Sequence, residues 1–128
     1  MAVVTHYPKL SGEWLKHELD CELNREQVMI PAATGNLITG TVMGKVTASG
    51  KWVPHVNGAA DGSEVAAGIL LNGVDASGPS DVQGVNVIGN ARIAPLELTW
   101  DASVDSQTKK DAALAQLESL GFKTAYQA

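Results

Sequence analysis

Three histidines, His6, His17 and His55, and a single cysteine, Cys21, are the side chains best suited to bind a metal. No two of them stand at the short spacing of a zinc motif, and one thiol cannot supply the sulfur ligands of a structural site. Solvated or hydrogen-bonded histidines are expected, with Cys21 a small buried or half-buried hydrophobe that has no disulfide partner. Asp101, Ser103 and Asp105 imitate the first half of a calcium loop. Its sixth position is Ser106 where glycine makes the turn, and its twelfth is Ala112 where a bidentate glutamate belongs, so a helix cap is the better reading. Gly40-Thr41-Val42-Met43-Gly44-Lys45 falls one residue short of a phosphate loop, with Val46 in place of the magnesium-binding hydroxyl. Gly62-Ser63 and Gly78-Pro79-Ser80 have the composition of turns, and no nucleophile elbow is present. The residues therefore predict no enzyme, no metal and no cofactor.

Composition narrows the remaining classes. The 128 residues suffice for one domain with a real core. Nine basic residues against fourteen acidic ones leave a net charge of −5, and Lys109-Lys110 is the only adjacent basic pair, which argues against nucleic acid as the main partner. No apolar stretch is long enough to span a bilayer. Met1-Ala2-Val3-Val4-Thr5-His6 lacks the basic start and apolar centre of a signal peptide, so use on the cytoplasmic side, or in a particle assembled there, is expected.

The elements that would position these residues are short. Thirteen glycines and five prolines imply many turns. Residues 1–26 read as a charged lead-in, in which Trp14, Leu15, Leu19 and Leu23 are spaced for one face of a helix, and residues 27–128 as the domain proper. Val28-Met29-Ile30 reads as a strand stopped by Pro31, and Thr34-Gly35-Asn36 as a turn. Leu37–Thr47 and Lys51-Trp52-Val53 flank the Ser49-Gly50 turn of a hairpin. Asp61-Gly62 is the clearest turn; Val65–Val74 follows as an apolar run with the pattern of a strand covered on both faces, and Gly68 within it marks a bulge or a second backbone close by. Asp75–Asp81 reads as a loop. Val82–Ile88, Ala91–Ile93 and Leu96–Thr99 read as further strands. Gln107–Leu120 is the one convincing helix, with Asp105 or Ser106 as cap, Gly121 as left-handed stop and Phe122 folding back. Lys109 and Lys110 stand at the end of it that its dipole disfavours for cations. Trp100 sits where a large ring would lock strand to helix; the rival role is an exposed sugar platform. The fold class expected is β-rich α+β, a small single domain with one C-terminal helix and a flexible N-terminal arm.

Three motifs share an order along the chain: Thr5-His6-Tyr7, Asp61-Gly62 leading into Ala66-Ala67-Gly68-Ile69-Leu70, and Trp100 followed across an Asp/Ser-rich link by Thr108-Lys109-Lys110. In this the sequence resembles the lambda-type phage head decoration proteins, over roughly residues 28–128 plus the motif in the arm. The resemblance implies a capsid protein of the virion that forms homotrimers on the outside of the expanded phage head. Those trimers occupy three-fold positions on the major capsid protein and stabilise the shell against internal DNA pressure. It also implies an arm that orders on the shell by adding a strand to the capsid protein, with Thr5, His6, Tyr7 and Trp14 as arm contacts. Asp61, Gly62, Gly68, Ile69, Trp100, Lys109 and Lys110 carry over as the structural and trimer region. The charged stretch Glu13–Glu26 and the loop Asp75–Asp81 depart from the family pattern. A carbohydrate-binding or fibre/tail β-module is the alternative, with Trp14, Trp52 and Trp100 as the rings large enough to serve it.

Overall fold

The computed structural model describes residues 14–18 and 24–124. Its centre is a five-stranded antiparallel sheet in the order β2 (Arg25–Ile30), β8 (Val82–Val87), β6 (Gly68–Leu70), β4 (Val42–Lys45), β5 (Trp52–Pro54). The sheet curls, bringing the edge strands β2 and β5 near one another. A three-stranded sheet places β9 (Ala91–Ile93) between β1 (Leu15–Glu18) and β10 (Lys123–Thr124), antiparallel to the first and parallel to the second. The strands β3 (Gly35–Leu37) and β7 (Val74–Ala76) form a separate ribbon, and one helix, α1 (Gln107–Glu118), precedes β10. The β-rich α+β class with a single C-terminal helix holds.

Alternation along the central strands divides the core in two. Val42 and Ile69 point into a cluster with Trp14, Val87, Ile93, Leu117 and Phe122. Their neighbours Met43 and Leu70 point the other way, onto Val28, Ile30, Trp52 and Ala76. Covering both faces is what makes β6 read as continuously apolar. The strand is nonetheless shorter than the Val65–Val74 run predicts: Val65 is exposed, and the chain turns at Leu71 and Asn72 before β7. Gly68 is there because another backbone passes, since a Cβ on it would stand 3.0 Å from the Val87 carbonyl oxygen.

The lead-in is corrected most. The helical face expected across Glu13–Glu26 is absent from its described residues. Leu15–Glu18 is strand β1 on β9, and the boundary expected between residues 26 and 27 falls inside β2. Pairing on an existing sheet edge satisfies the backbone here, and local apolar spacing yields to it. Arg25 and Glu18 then form an ion pair between the two strands at 2.5 Å. Leu19, Cys21 and Leu23 lie outside the described residues.

Two further expectations change. Leu96–Thr99 is not a strand: Pro95 begins a 3-10 helix over Pro95–Glu97, which leaves Leu96 81% exposed. Proline has no amide for a sheet ladder and suits a first helical turn. The expected loop Asp75–Asp81 begins inside β7, where Asp75 opposes Asn36 in β3, and Gly35-Asn36 is likewise strand rather than turn. The hairpin around Ser49-Gly50 forms between β4 and β5, with Gly50 at φ +72 and the Val46 amide donating to the Lys51 carbonyl at 2.8 Å, but its first strand is Val42–Lys45 rather than Leu37–Thr47, since Leu37 belongs to β3.

Candidate docking surface

The chemistry-bearing residues are held in structural roles. Among the described residues no three His, Cys, Asp or Glu side chains gather as metal ligands. His55 is buried, with Nδ1 2.9 Å from the Ser63 carbonyl oxygen. The apparent calcium loop is a chain of turn contacts. Asp101 accepts the Ser103 amide at 3.0 Å, the Ser103 hydroxyl accepts the Asn57 amide at 2.9 Å, and Asp105 pairs with the Lys109 ammonium at 2.9 Å. In the glycine-rich segment, Gly40 takes φ +86 beneath the Trp14 ring, and a Cβ on Gly44 would stand 2.6 Å from the Ser63 carbonyl oxygen. Close approach of backbone and ring, not phosphate, requires these glycines.

Asp61-Gly62 is a tight turn. Gly62 has φ +109, and a side chain on it would strike the Lys45 carbonyl oxygen at 2.6 Å. The Asp61 carbonyl accepts the Thr47 amide at 2.9 Å, and its carboxylate accepts the Ser63 hydroxyl at 2.6 Å and the Ser63 amide at 3.0 Å. These donors, the hydroxyl first, hold the Asp61 carboxyl below its ordinary pKa. Ile69 is fully buried. Asp61, Gly62, Gly68 and Ile69 thus shape the interior and its turns; none of them lines the groove described next.

That groove lies between the 3-10 segment and α1. Pro95, Leu96, Leu98 and Trp100 form one wall, and Gln107, Lys110 and Leu114 form the other. Trp100 and Leu114 are half-buried and pack against the core with their inner sides. Leu96 carries by far the largest exposure of the described large apolar residues; the next are Val65 at 47% and Ile38 at 45%. The cap of α1 keeps the helical wall in place: the Ser106 hydroxyl accepts the Lys109 amide at 3.3 Å. At its other end Gly121 takes φ +95, the Gly121 amide donates to the Glu118 carbonyl at 3.0 Å, and Phe122 is buried. Lys109 is turned to Asp105, which offsets the unfavourable dipole position, while Lys110 contributes the groove's cation.

Of the expected arm contacts, Thr5, His6 and Tyr7 lie outside the described residues. Trp14 is corrected. It is fully buried, its indole nitrogen donates to the Thr39 hydroxyl at 2.8 Å, and its carbonyl accepts the Ala94 amide at 2.7 Å. A large ring at the root of the lead-in brings much apolar area into the core, with its N–H satisfied there. Trp52 is buried as well, so of the three possible sugar platforms only Trp100 has an accessible side. Part of Leu96–Trp100 was expected near subunit contacts, but as a strand; Pro95 was the signal for the turn that exposes Leu96.

These features define a small structural domain whose candidate for function is an exposed apolar surface beside a helix. Compared with known families, residues 4–122 match bacteriophage lambda head decoration protein D, and the chain belongs to that family. It is therefore a phage head decoration protein, a structural component of the virion capsid. No curated protein gives a match.

Proposed function

We propose that the protein binds the outer surface of the expanded capsid as a homotrimer at three-fold positions, on the major capsid protein, and stabilises the shell against the pressure of packaged DNA. The exposure of Leu96 beside the Trp100–Leu114 groove carries this reading, because family membership leaves open which surface docks. Burying a leucine contributes about 1.5–3 kcal/mol, and three symmetric copies multiply it around a closed ring. The Leu96–Trp100 segment is accordingly assigned to contacts between subunits.

Capsid contact is assigned to the residues before Trp14, including Thr5, His6 and Tyr7, through an added strand on the capsid protein. Ordering such a segment costs about 1–2 kcal/mol per residue, which strand pairing and side-chain burial must offset. Many modest contacts repeated over a lattice make strong attachment through multivalency. Electron microscopy of expanded heads with and without the protein is the direct test. Trimeric density at the three-fold positions is expected; density elsewhere, or no bound protein, overturns the proposal.

A further inference from the structure

Six asparagines lie among the described residues, and only Asn57 and Asn72 are followed by glycine. The pairing matters because the backbone nitrogen of the next residue can attack the asparagine carboxamide, and a side chain on that residue obstructs the approach. Arg25, Leu37, Val87 and Ala91 supply such a side chain after Asn24, Asn36, Asn86 and Asn90. The fold separates the two remaining sites. Both pairs are exposed, but Gly58 has φ +87 and no atom lies within 4 Å of where its Cβ would stand. Gly73 instead presses on the neighbouring ribbon, where a Cβ would stand 3.2 Å from the Leu37 carbonyl oxygen. Hydrogen bonds flank both pairs, from the Val56 amide to the Ser63 carbonyl at 3.1 Å and the Asn57 amide to the Ser103 hydroxyl at 2.9 Å at the first, and from the Leu71 amide to the Val85 carbonyl at 2.8 Å at the second, so the packing of Gly73 is what distinguishes them.

We propose that Asn57-Gly58 is a site of spontaneous deamidation, the position at which this chain first converts asparagine to aspartate and isoaspartate. Base removes the Gly58 amide proton, and the nitrogen attacks Cγ of Asn57. A C–N bond forms, the carboxamide C–N bond breaks, and ammonia leaves a cyclic succinimide. Water then opens the ring and a proton returns to the Gly58 nitrogen. Breaking its bond to Cγ leaves aspartate; breaking its bond to the main-chain carbonyl carbon leaves isoaspartate, with an extra methylene in the backbone. One water is consumed and one ammonia released, with no change of oxidation state. The new carboxylate, and in one product the longer backbone, falls on the residue whose amide is tied to Ser103 in the link before α1.

The test holds the full chain in mildly alkaline buffer, folded in one sample and unfolded in urea in another. Peptide mass mapping follows each asparagine, and isoaspartyl methyltransferase labelling reports the isoaspartate fraction. In the folded protein residue 57 is expected to react first, within about threefold of its unfolded rate, while residue 72 is slowed about tenfold or more because its reaction waits on local opening. Equal suppression at the two positions, or an earlier reaction at any other asparagine, overturns the proposal.

Discussion

Trp14 and Trp100 have different tasks, and the difference is measurable. Trp14 is enclosed, with its indole nitrogen satisfied by Thr39, whereas Trp100 keeps one side on the groove. Truncating a fully buried aromatic residue costs about 3–5 kcal/mol, and a half-buried one less. Trp14→Ala is therefore expected to lower the urea midpoint more than Trp100→Ala, the reverse of the emphasis that sequence alone suggests. Leu96→Ser should behave in the opposite manner to both. Its side chain stands mostly in solvent, so the midpoint of the isolated subunit should hardly move. Self-association measured by sedimentation equilibrium should weaken about tenfold or more, as expected when one apolar anchor is lost from an interface.

Turns and links, more than strands, carry the charged contacts. Asp61, Asp75, Asp81 and Asp105 all have pKa values below the ordinary aspartate range. The leading causes are hydrogen bonds from the Ser63 hydroxyl, the Ser77 hydroxyl, the Lys51 ammonium and the Lys109 ammonium respectively. A carboxylate whose pKa is depressed on folding adds stability above its unfolded pKa and loses it as pH falls through the folded value. The melting temperature should thus decline as pH drops below about 5 and keep declining through the acid range, since unfolded aspartates titrate near 3.9. All four groups face solvent, so added salt should reduce the part due to the two lysine pairs. At the end of α1, Gly121→Ala should destabilise sharply by thermal melting. Its φ of +95 disfavours a side chain, and the added Cβ would meet the Asn90 amide nitrogen of the main chain at 3.1 Å.

At the level of the whole molecule, the position of Trp14 limits how far the segment proposed for capsid binding can extend. Because Trp14 and β1 belong to the core and its sheet, the segment assigned to capsid binding ends before them. Deleting residues 2–13 is expected to leave the melting temperature nearly unchanged and to abolish binding to expanded heads in a co-sedimentation assay. A truncated protein that still saturated heads would remove the arm from the mechanism. A deletion carried through residue 18 should unfold the domain, because it removes Trp14 from the core and β1 from β9.

How much was legible depended on the range of the determining force. The β-rich class, the Ser49-Gly50 hairpin, the Asp61-Gly62 turn and helix α1 from its cap to Gly121 rest on backbone chemistry within a few residues, and each is visible in the order of amino acids. Long-range pairing was not. Trp14, Leu15, Leu19 and Leu23 have a helical apolar spacing, yet Leu15–Glu18 pairs with the edge of β9, and Trp14 joins the core only because Thr39, Gly40 and Ala94 are brought to it from distant parts of the chain. Leu96 and Leu98 look equivalent in the linear order, yet one is exposed and the other buried, since the turn begun at Pro95 breaks the strand alternation that would give them the same environment. Local sequence determined the kinds of element and their turns; tertiary structure decided which apolar side chains became core and which became surface, because burial depends on partners that no local window contains.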